Sequence, residues 1–313
     1  MAVFEIFSHA ELRRYRSHIF SKATALQVFI TLLTYILPLV VIYLNDGIWI
    51  SDARFRDQPK IVFKKELLFL LYTTGSTQSY VTYSTFENYN KLQQNSLRIP
   101  LIKSVEEDIN GDGKLDNLQL TLEVPLYDSE NVVAIEMLLF FHYELHKHGS
   151  ITMNSMAYIH HSSVIPGAKI NVYGTLETVQ RIPLHYKGNN IRFNTSIIDS
   201  DSVYASAYDL SNILKKYHER NVTTKLIEPY YAWTIGRGAK MPFIISVNIK
   251  YPRQEFIYSP SLLYQLKWGW VQYVSLLFFF LVAAHNLKVF IFSNQLVNTI
   301  ITRPYRDTGL KLS

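Results

Sequence analysis

The stretch ATALQVFITLLTYILPLVVIYL, residues 23–44, decides the fold class of this 313-residue chain. It contains no charged side chain. As a helix that rises about 1.5 Å per residue, it spans about 33 Å, which is the thickness of a bilayer's hydrocarbon core. Pro38 fits this interpretation, because helices in a bilayer tolerate proline better than soluble helices do. The stretch therefore predicts a transmembrane helix over residues 23–44.

Two other structures could contain such a stretch, a secretory signal peptide and a buried helix of a soluble domain. A signal peptide has a shorter apolar region of roughly 7–15 residues and an Ala-x-Ala-like cleavage site, and no such site follows Leu44. A helix in a soluble domain normally shows a polar stripe, which is missing here. Both comparisons favour the transmembrane helix.

A second apolar stretch lies near the other end of the chain. Residues 270–284 carry no charge, and the apolar pattern continues beyond Lys288 to Phe292. A lysine near a helix end is tolerated because its long side chain can carry the ammonium group to the lipid headgroups. Trp268 and Trp270 at the start are typical of a membrane interface. The pattern predicts a second transmembrane helix over residues 268–292, with a soluble core helix as the alternative.

These two helices divide the chain into five parts. They are a tail over residues 1–22, a helix over 23–44, a large segment over 45–267, a helix over 268–292 and a tail over 293–313. The tails are rich in arginine and lysine, which predicts that both termini lie in the cytosol and the large segment outside it. Asn-x-Ser/Thr triplets at Asn194 and Asn221 lie in the large segment, and we interpret both as glycosylation sites.

The large segment has the period-two pattern of β-strands. Apolar residues alternate with polar ones over 141–146, and every second residue over 243–251 is apolar in the same way. Further predicted strands cover residues 118–126, 132–140 and 170–176, with turn residues between them. One helix is expected after Asp209, where apolar residues recur at helical spacing. The sequence thus predicts a membrane protein in which two transmembrane α-helices flank a mainly-β, antiparallel, sandwich-like extracytosolic domain with at least one helix.

Composition excludes several classes of function. Charged residues make up 18% of the chain, below the roughly 25% that is typical of soluble domains. The net charge is +6, but no run of five basic residues forms a nucleic-acid patch. The chain has no cysteine, which excludes disulfides, zinc–thiolate sites and cysteine nucleophiles. No nucleophile elbow or phosphate-binding fingerprint occurs either, so we expect neither an enzyme nor a small-molecule substrate.

One acidic loop has the spacing of calcium ligands. Side-chain oxygens at Asp108, Asn110, Asp112 and Asp116, with the backbone carbonyl of Lys114, occupy the first, third, fifth, ninth and seventh positions of a calcium loop. The twelfth position is glutamine instead of a bidentate glutamate, and a strand is predicted to follow instead of a helix. The pattern therefore supports two hypotheses, a weak calcium site and a plain polar turn.

The chain also resembles a known family over nearly its whole length. The matching segments, in chain order, are Phe4–His9, Tyr15–Arg16, Ser21–Ala23, Leu33–Ile36, Ser84–Phe86, Leu97–Leu101, Glu106–Asp116, Glu219–Thr224 and Trp270–Ser275. They resemble the Transmembrane Protein 231 family, whose members belong to the Meckel-syndrome complex of the ciliary transition zone. The resemblance implies a non-catalytic structural subunit that acts in cilium assembly and in the diffusion barrier between ciliary and plasma membranes. It also implies a ciliary location and partners among Meckel-complex and tectonic-type proteins.

A second function from a different class remains open, a calcium- or ligand-binding receptor-like membrane module. Such a receptor would signal through its cytosolic parts. The predicted tails are about 22 and 21 residues long, too short for a signalling domain. Tail length therefore favours the structural subunit.

Overall fold

The computed structural model describes residues 13–45, 52–75, 78–186 and 188–302. The chain forms two compact units, one made of Met1–Ile50 with Ser261–Ser313 and one made of Ser51–Pro260. The predictions that rest on residues 1–12 and 303–313, among them the resemblance at Phe4–His9, lie outside the described residues.

The first unit is a pair of long helices with short flanking strands. Its elements are β1 (Arg14–Arg16), α1 (Lys22–Leu44), α4 (Leu262–Ser293) and β14 (Ile300–Thr302). Both helices are long and apolar enough to cross a membrane. The hydroxyl groups of Ser21 and Ser261 cap their first turns, each accepting a hydrogen bond of 3.3 Å from a backbone N–H group. Ser261 is the N-cap of α4, so this helix begins at Leu262. Its start is therefore earlier than residue 268, the start that the sequence pattern predicted.

The second unit is mainly β-structure. Its strands are β2 (Ala53–Asp57), β3 (Lys60–Thr74), β4 (Tyr80–Ser84), β5 (Leu101–Glu107), β6 (Asn117–Val124), β7 (Asn131–Leu145), β8 (Ser150–Gln180), β9 (Leu184–His185), β10 (Asn189–Asn190), β11 (Val222–Ile235), β12 (Phe243–Lys250) and β13 (Gln254–Ser259). Its helices in the described residues are α2 (Glu87–Leu92) and α3 (Leu210–His218), with a short 3₁₀ turn at Ala205–Ala207. The prediction of a mainly-β domain between two membrane helices is confirmed.

The long strand β8 joins two halves of the main sheet. Its first part pairs with β7, and its last part pairs with β11 on one side and β12 on the other. The strand order along the sheet is β4-β3-β7-β8-β12-β6-β5. Side chains from both halves meet in one core, where the ring of Phe141 packs 5.6 Å from Phe63 and 6.2 Å from Tyr251. The strands thereby enclose a core in the manner of a sandwich.

The pairing of β8 with β12 is parallel, whereas most strands of the sheet pair antiparallel. Chain direction explains this exception. Strand β11 runs antiparallel to β8, and the turn at residues 236–242 reverses the chain before β12 begins. Strand β12 then lies on the opposite side of β8, so it must run in the same direction as β8.

A helical layer covers the outer face of the β3–β7–β8 region. Leu138, Phe140 and Met156 of the sheet pack against α2 and α3 in a second cluster of buried side chains. Residues of β7 are consequently buried on both faces in the middle of the strand. Helix α3 begins after Asp209 as predicted, although the Asp209 side chain makes no capping hydrogen bond.

Candidate functional site

The two long helices pack along one apolar face of α1. Its buried residues are Ala23, Ile30, Thr34, Pro38 and Ile42, and α1 contacts α4 along its length. Their spacing of three to four residues, or multiples of it, places them on one side of the helix. The hydroxyl group of Thr34 donates to the carbonyl oxygen of Ile30 at 2.7 Å. The hydroxyl group of Thr34 therefore has a hydrogen-bond acceptor within its own helix, as a polar group inside a membrane requires.

Two polar contacts connect the helices. The ammonium group of Lys288 lies 3.4 Å from the hydroxyl oxygen of Thr31, and the hydroxyl group of Tyr273 lies 3.5 Å from the carbonyl oxygen of Tyr35. The Lys288 side chain thus reaches a hydroxyl group of the neighbouring helix. Helical side chains tilt toward the helix N-terminus, which directs Lys288 back along α4 and against α1.

The segments that flank the helix pair also meet. Strands β1 and β14 pair antiparallel, with Tyr15 opposite Ile301, and the ring of Tyr15 lies 5.9 Å from that of Phe292. The chain therefore enters α1 and leaves α4 at the same end of the pair. In any membrane that the pair crosses, these two segments lie on the same side.

The acidic loop is a series of tight turns closed by its own side chains. The carboxylate of Asp108 accepts hydrogen bonds from the N–H groups of Gly111 at 2.8 Å and Gly113 at 2.9 Å. The side chains of Asn110 and Asp112 each accept from the N–H group two residues later, at 2.8 and 2.9 Å. These are the local bonds by which Asn and Asp stabilise turns. The loop thus has a defined conformation supported by the chain alone.

Asp116 turns inward from this loop and ties it to the sheet. Its carboxylate accepts from the side-chain amide of Gln58 at 2.7 Å and from the N–H groups of Ile109 and Asn110 at 3.0 and 3.2 Å. The hydrogen bond from Gln58, more than any other interaction, lowers the pKa of the Asp116 carboxyl group. Lys114 donates to the carbonyl oxygen of Gln58, so both residues brace the loop, and calcium binding there stays a prediction.

The two glycosylation triplets lie in different environments. Asn194 is exposed in the loop between β10 and α3. Asn221 is half-buried directly before β11, and its carbonyl oxygen accepts a hydrogen bond of 3.0 Å from the N–H group of Arg181. Asn194 is therefore the more accessible of the two predicted glycosylation sites.

The structure also contains a buried ionic contact that the sequence pattern did not reveal. Glu130 is 2% exposed and pairs with Arg98 at 2.9 Å. Nearby, Arg237 donates to the carbonyl oxygens of Tyr127, Glu130 and Met241 at 2.7 to 2.9 Å. The turn Gly236–Gly238 thus holds the loop at Tyr127–Glu130 and the residue Met241 together through the side chain of Arg237. These residues are too far apart along the chain for any local pattern to indicate the contact.

Comparison with known proteins gives the family. A sequence model described as "Transmembrane protein 231" matches residues 1–301. This chain belongs to the Transmembrane protein 231 family. It is 40% identical over 300 residues to Transmembrane protein 231 of Mus musculus, covering 96% of this chain and 95% of that protein. It is 41% identical to the Xenopus tropicalis protein, covering 96% of both chains, and 39% identical to the Homo sapiens protein, covering 96% and 95%.

Family membership confirms the resemblance drawn from the sequence. The members of the Transmembrane protein 231 family are named as membrane proteins, and α1 and α4 are the two candidate membrane spans among the residues that the structure describes. In the described residues, no group of three histidine, aspartate or glutamate side chains is arranged to hold a metal ion. The features that the fold presents are accordingly a membrane anchor, an acidic turn and a large β-domain.

Proposed function

We propose that this Transmembrane protein 231 family member is a non-enzymatic structural subunit of the membrane complex at the ciliary transition zone. In this role it acts in cilium assembly and in the diffusion barrier that separates the ciliary from the plasma membrane. It resides in the ciliary membrane with both termini in the cytosol and its β-domain on the other side. Its partners are other Meckel-complex and tectonic-type proteins.

The observation that carries the proposal is the family match over 96% of a chain in which a mainly-β domain lies between two membrane helices in sequence. The segments before α1 and after α4 pair as β1 and β14, and the unit between the helices in sequence spans Ser51–Pro260. The β-domain and the helix faces are therefore the parts available to bind neighbouring membrane subunits.

Localisation and co-purification in ciliated cells test this function. A tagged full chain is expected to concentrate at the base of the cilium and to carry other transition-zone membrane proteins with it through mild detergent. Its deletion is expected to let membrane proteins pass between cilium and plasma membrane. Uniform distribution over the plasma membrane, with ciliary composition unchanged after deletion, would refute the proposal.

The orientation has its own test. In sealed vesicles with the cytosolic face outward, added protease should remove tags at Met1 and Ser313 and leave residues 51–260 intact. Protection of either tag contradicts two cytosolic termini. This experiment is independent of the ciliary role, so the anchor topology can be right even where the proposed complex is wrong.

A second candidate, the calcium-binding receptor-like module, rests on the loop from Asp108 to Asp116. The turn bonds of Asp108 and Asp112 leave further carboxylate lone pairs, which a cation could use. Calcium binding alone would not establish signalling. A calcium-dependent change in the proteins that co-purify with the tails is the outcome that would favour the receptor.

A further inference from the structure

A groove of about 670 Å³ lies between α3 and strands β8 and β11. Its volume is within the range of roughly 300–1,000 Å³ that is common for small-molecule sites. Its floor is largely apolar, because Met156, Tyr158, Leu214 and Leu226 line it. The groove is open on one side, where Val179 remains 38% exposed. Tyr158 and Leu214 are half-buried in the groove, whereas Met156 and Leu226 below them are buried.

Tyr217 makes the groove a fixed feature of the fold. Its hydroxyl oxygen accepts hydrogen bonds from the N–H groups of Met156 at 3.2 Å and Thr224 at 2.8 Å. These N–H groups belong to β8 and β11, so one side chain of α3 joins both strands. The wall and the floor of the groove are thereby held in register, and a ligand meets a formed site instead of a fluctuating gap.

The rim of the groove is basic. Its lining includes Arg181, Lys215, His218 and Lys225, and it includes no aspartate or glutamate. In the described part of the chain, none of these four side chains forms a salt bridge. Arg181 instead places its guanidinium 3.1 Å from the imidazole nitrogens of His218. The guanidinium donates a hydrogen bond to a ring nitrogen of His218 there, and no carboxylate lines the rim beside it.

A purely structural role explains only part of this charge. Lys215 and His218 lie in the last turn of α3, where positive charge stabilises the helix dipole. Lys225 lies across the strand pair from Glu177, which balances part of its charge. Arg181 belongs to neither arrangement, and cations from a helix and two strands converge on one groove.

We propose that this groove binds an anionic amphiphile, a molecule with an acyl chain and a carboxylate or phosphate head. The acyl chain lies on the apolar floor, and the head lies at the rim between Arg181, Lys215 and Lys225. Burial of the chain supplies most of the affinity. The basic side chains select for an anion, because charged partners contribute more to specificity than to raw affinity. This inference goes beyond the proposed structural function and does not depend on it.

Photolabelling of the full-length protein tests the proposal. The protein is reconstituted into phosphatidylcholine vesicles with a sixteen-carbon fatty acid that carries a photoactivatable diazirine, or with the matching alcohol. Labelled peptides are mapped by mass spectrometry, and labelling of α1 and α4 serves as the internal reference. The acid is expected to label residues 156–158 and 214–226 more than the alcohol does.

Charge-reversal variants test whether the basic side chains at the rim contribute to binding. Lys215→Glu and Lys225→Glu are each expected to lower groove labelling by the acid about fivefold, since attraction becomes repulsion at the rim. Lys216→Glu is the matched control, because this exposed neighbour on α3 does not line the groove. Equal melting temperatures of the three variants would show that the fold is intact. If one variant fails to fold, the other variant and the acid–alcohol comparison on the unchanged chain still decide.

Three results would overturn the proposal. The first is equal labelling of the groove by acid and alcohol, and the second is unchanged acid labelling in both charge-reversal variants. The third is binding of a fluorescent polyglutamate-containing peptide that requires Lys215 and that the fatty acid does not displace. That result would assign the groove to an acidic protein segment instead of an amphiphile.

Discussion

Replacement of Tyr217 by phenylalanine should destabilise the β-domain, because it removes one hydroxyl oxygen that accepts two hydrogen bonds. Tyr217 is 7% exposed, and its hydroxyl oxygen is the acceptor for the N–H groups of Met156 and Thr224. The phenylalanine ring fills the same space but leaves both N–H groups without this acceptor. A buried donor without a partner costs about 1–3 kcal/mol, so for the two donors we expect a loss of roughly 2–6 kcal/mol in the free energy of unfolding.

The expected size of this loss can be measured by thermal unfolding of the purified full chain in detergent. For a domain of this size, 1 kcal/mol corresponds to about 2–4 °C, which gives a fall of about 4–24 °C in melting temperature. Tyr204→Phe is the control, since Tyr204 is 74% exposed and its variant should stay within about 0.5 kcal/mol of wild type. Equal melting temperatures for the two variants would show that Tyr217 does not join the strands.

Three further predictions concern the domain and its loops. Burial raises the pKa of Glu106, whose carboxylate accepts from the N–H group of Phe63 at 2.8 Å. Its contribution to stability is therefore full below the ordinary pKa of about 4.5 and is lost as the pH rises through the raised value. In urea unfolding, Glu106→Gln should therefore gain stability relative to wild type as the pH rises above about 4.5, whereas a difference that is constant with pH would contradict this. If the acidic loop binds calcium with a Kd of about 10⁻⁴–10⁻³ M, calcium at ten times Kd should add about 1.4 kcal/mol to the free energy of unfolding and raise the melting temperature. Asp112→Ala should abolish this rise. Equal melting temperatures in calcium and in chelator would identify a plain turn. Asn194→Gln should remove most of the glycosidase-sensitive mobility shift and Asn221→Gln little of it, because Asn194 is the exposed acceptor; the reverse order would contradict this accessibility argument.

Helices were predictable from the sequence because their signals are local. The apolar stretch over residues 23–44 corresponds to α1 at Lys22–Leu44, since a bilayer imposes an uninterrupted apolar length on one segment. Helix α3 was predictable because one apolar face at helical spacing packs on the sheet. Strand β12 was predictable for a similar reason, as alternate residues from Phe243 to Ile249 enter the core.

Strands that carry apolar residues on both faces could not be identified in this way. In β3, the helical layer buries Leu68 on the face opposite the main core, so alternation is lost. A bulge also interrupts this strand between Phe63 and Glu66, where Lys65 has a φ of 59°. Strand β8 was expected only over residues 170–176 but covers Ser150–Gln180, because its length depends on partners far away in the chain.

The candidate sites likewise differ in whether their contacts are local or distant in sequence. The turns of the acidic loop follow from Asp, Asn and Gly at short spacing, so the sequence indicated them. The inward position of Asp116 depends on Gln58, which is distant in sequence, and no local pattern predicts it. The basic groove is assembled from β8, α3 and β11, so only the fold brings Arg181 and Lys215 together.

The parallel pairing of β8 with β12 sets the order in which the nascent domain can be completed. Strand β12 lies between β8 and β6, and it aligns Ile244 with Lys169, which was synthesised 75 residues earlier. Until Lys250 has been made, both neighbouring strands carry open edges that can associate with other chains. A premature stop codon anywhere before residue 243 therefore removes the central strand and leaves a sheet that cannot close. Truncated products are expected to become substrates for cellular quality control instead of shortened but functional proteins.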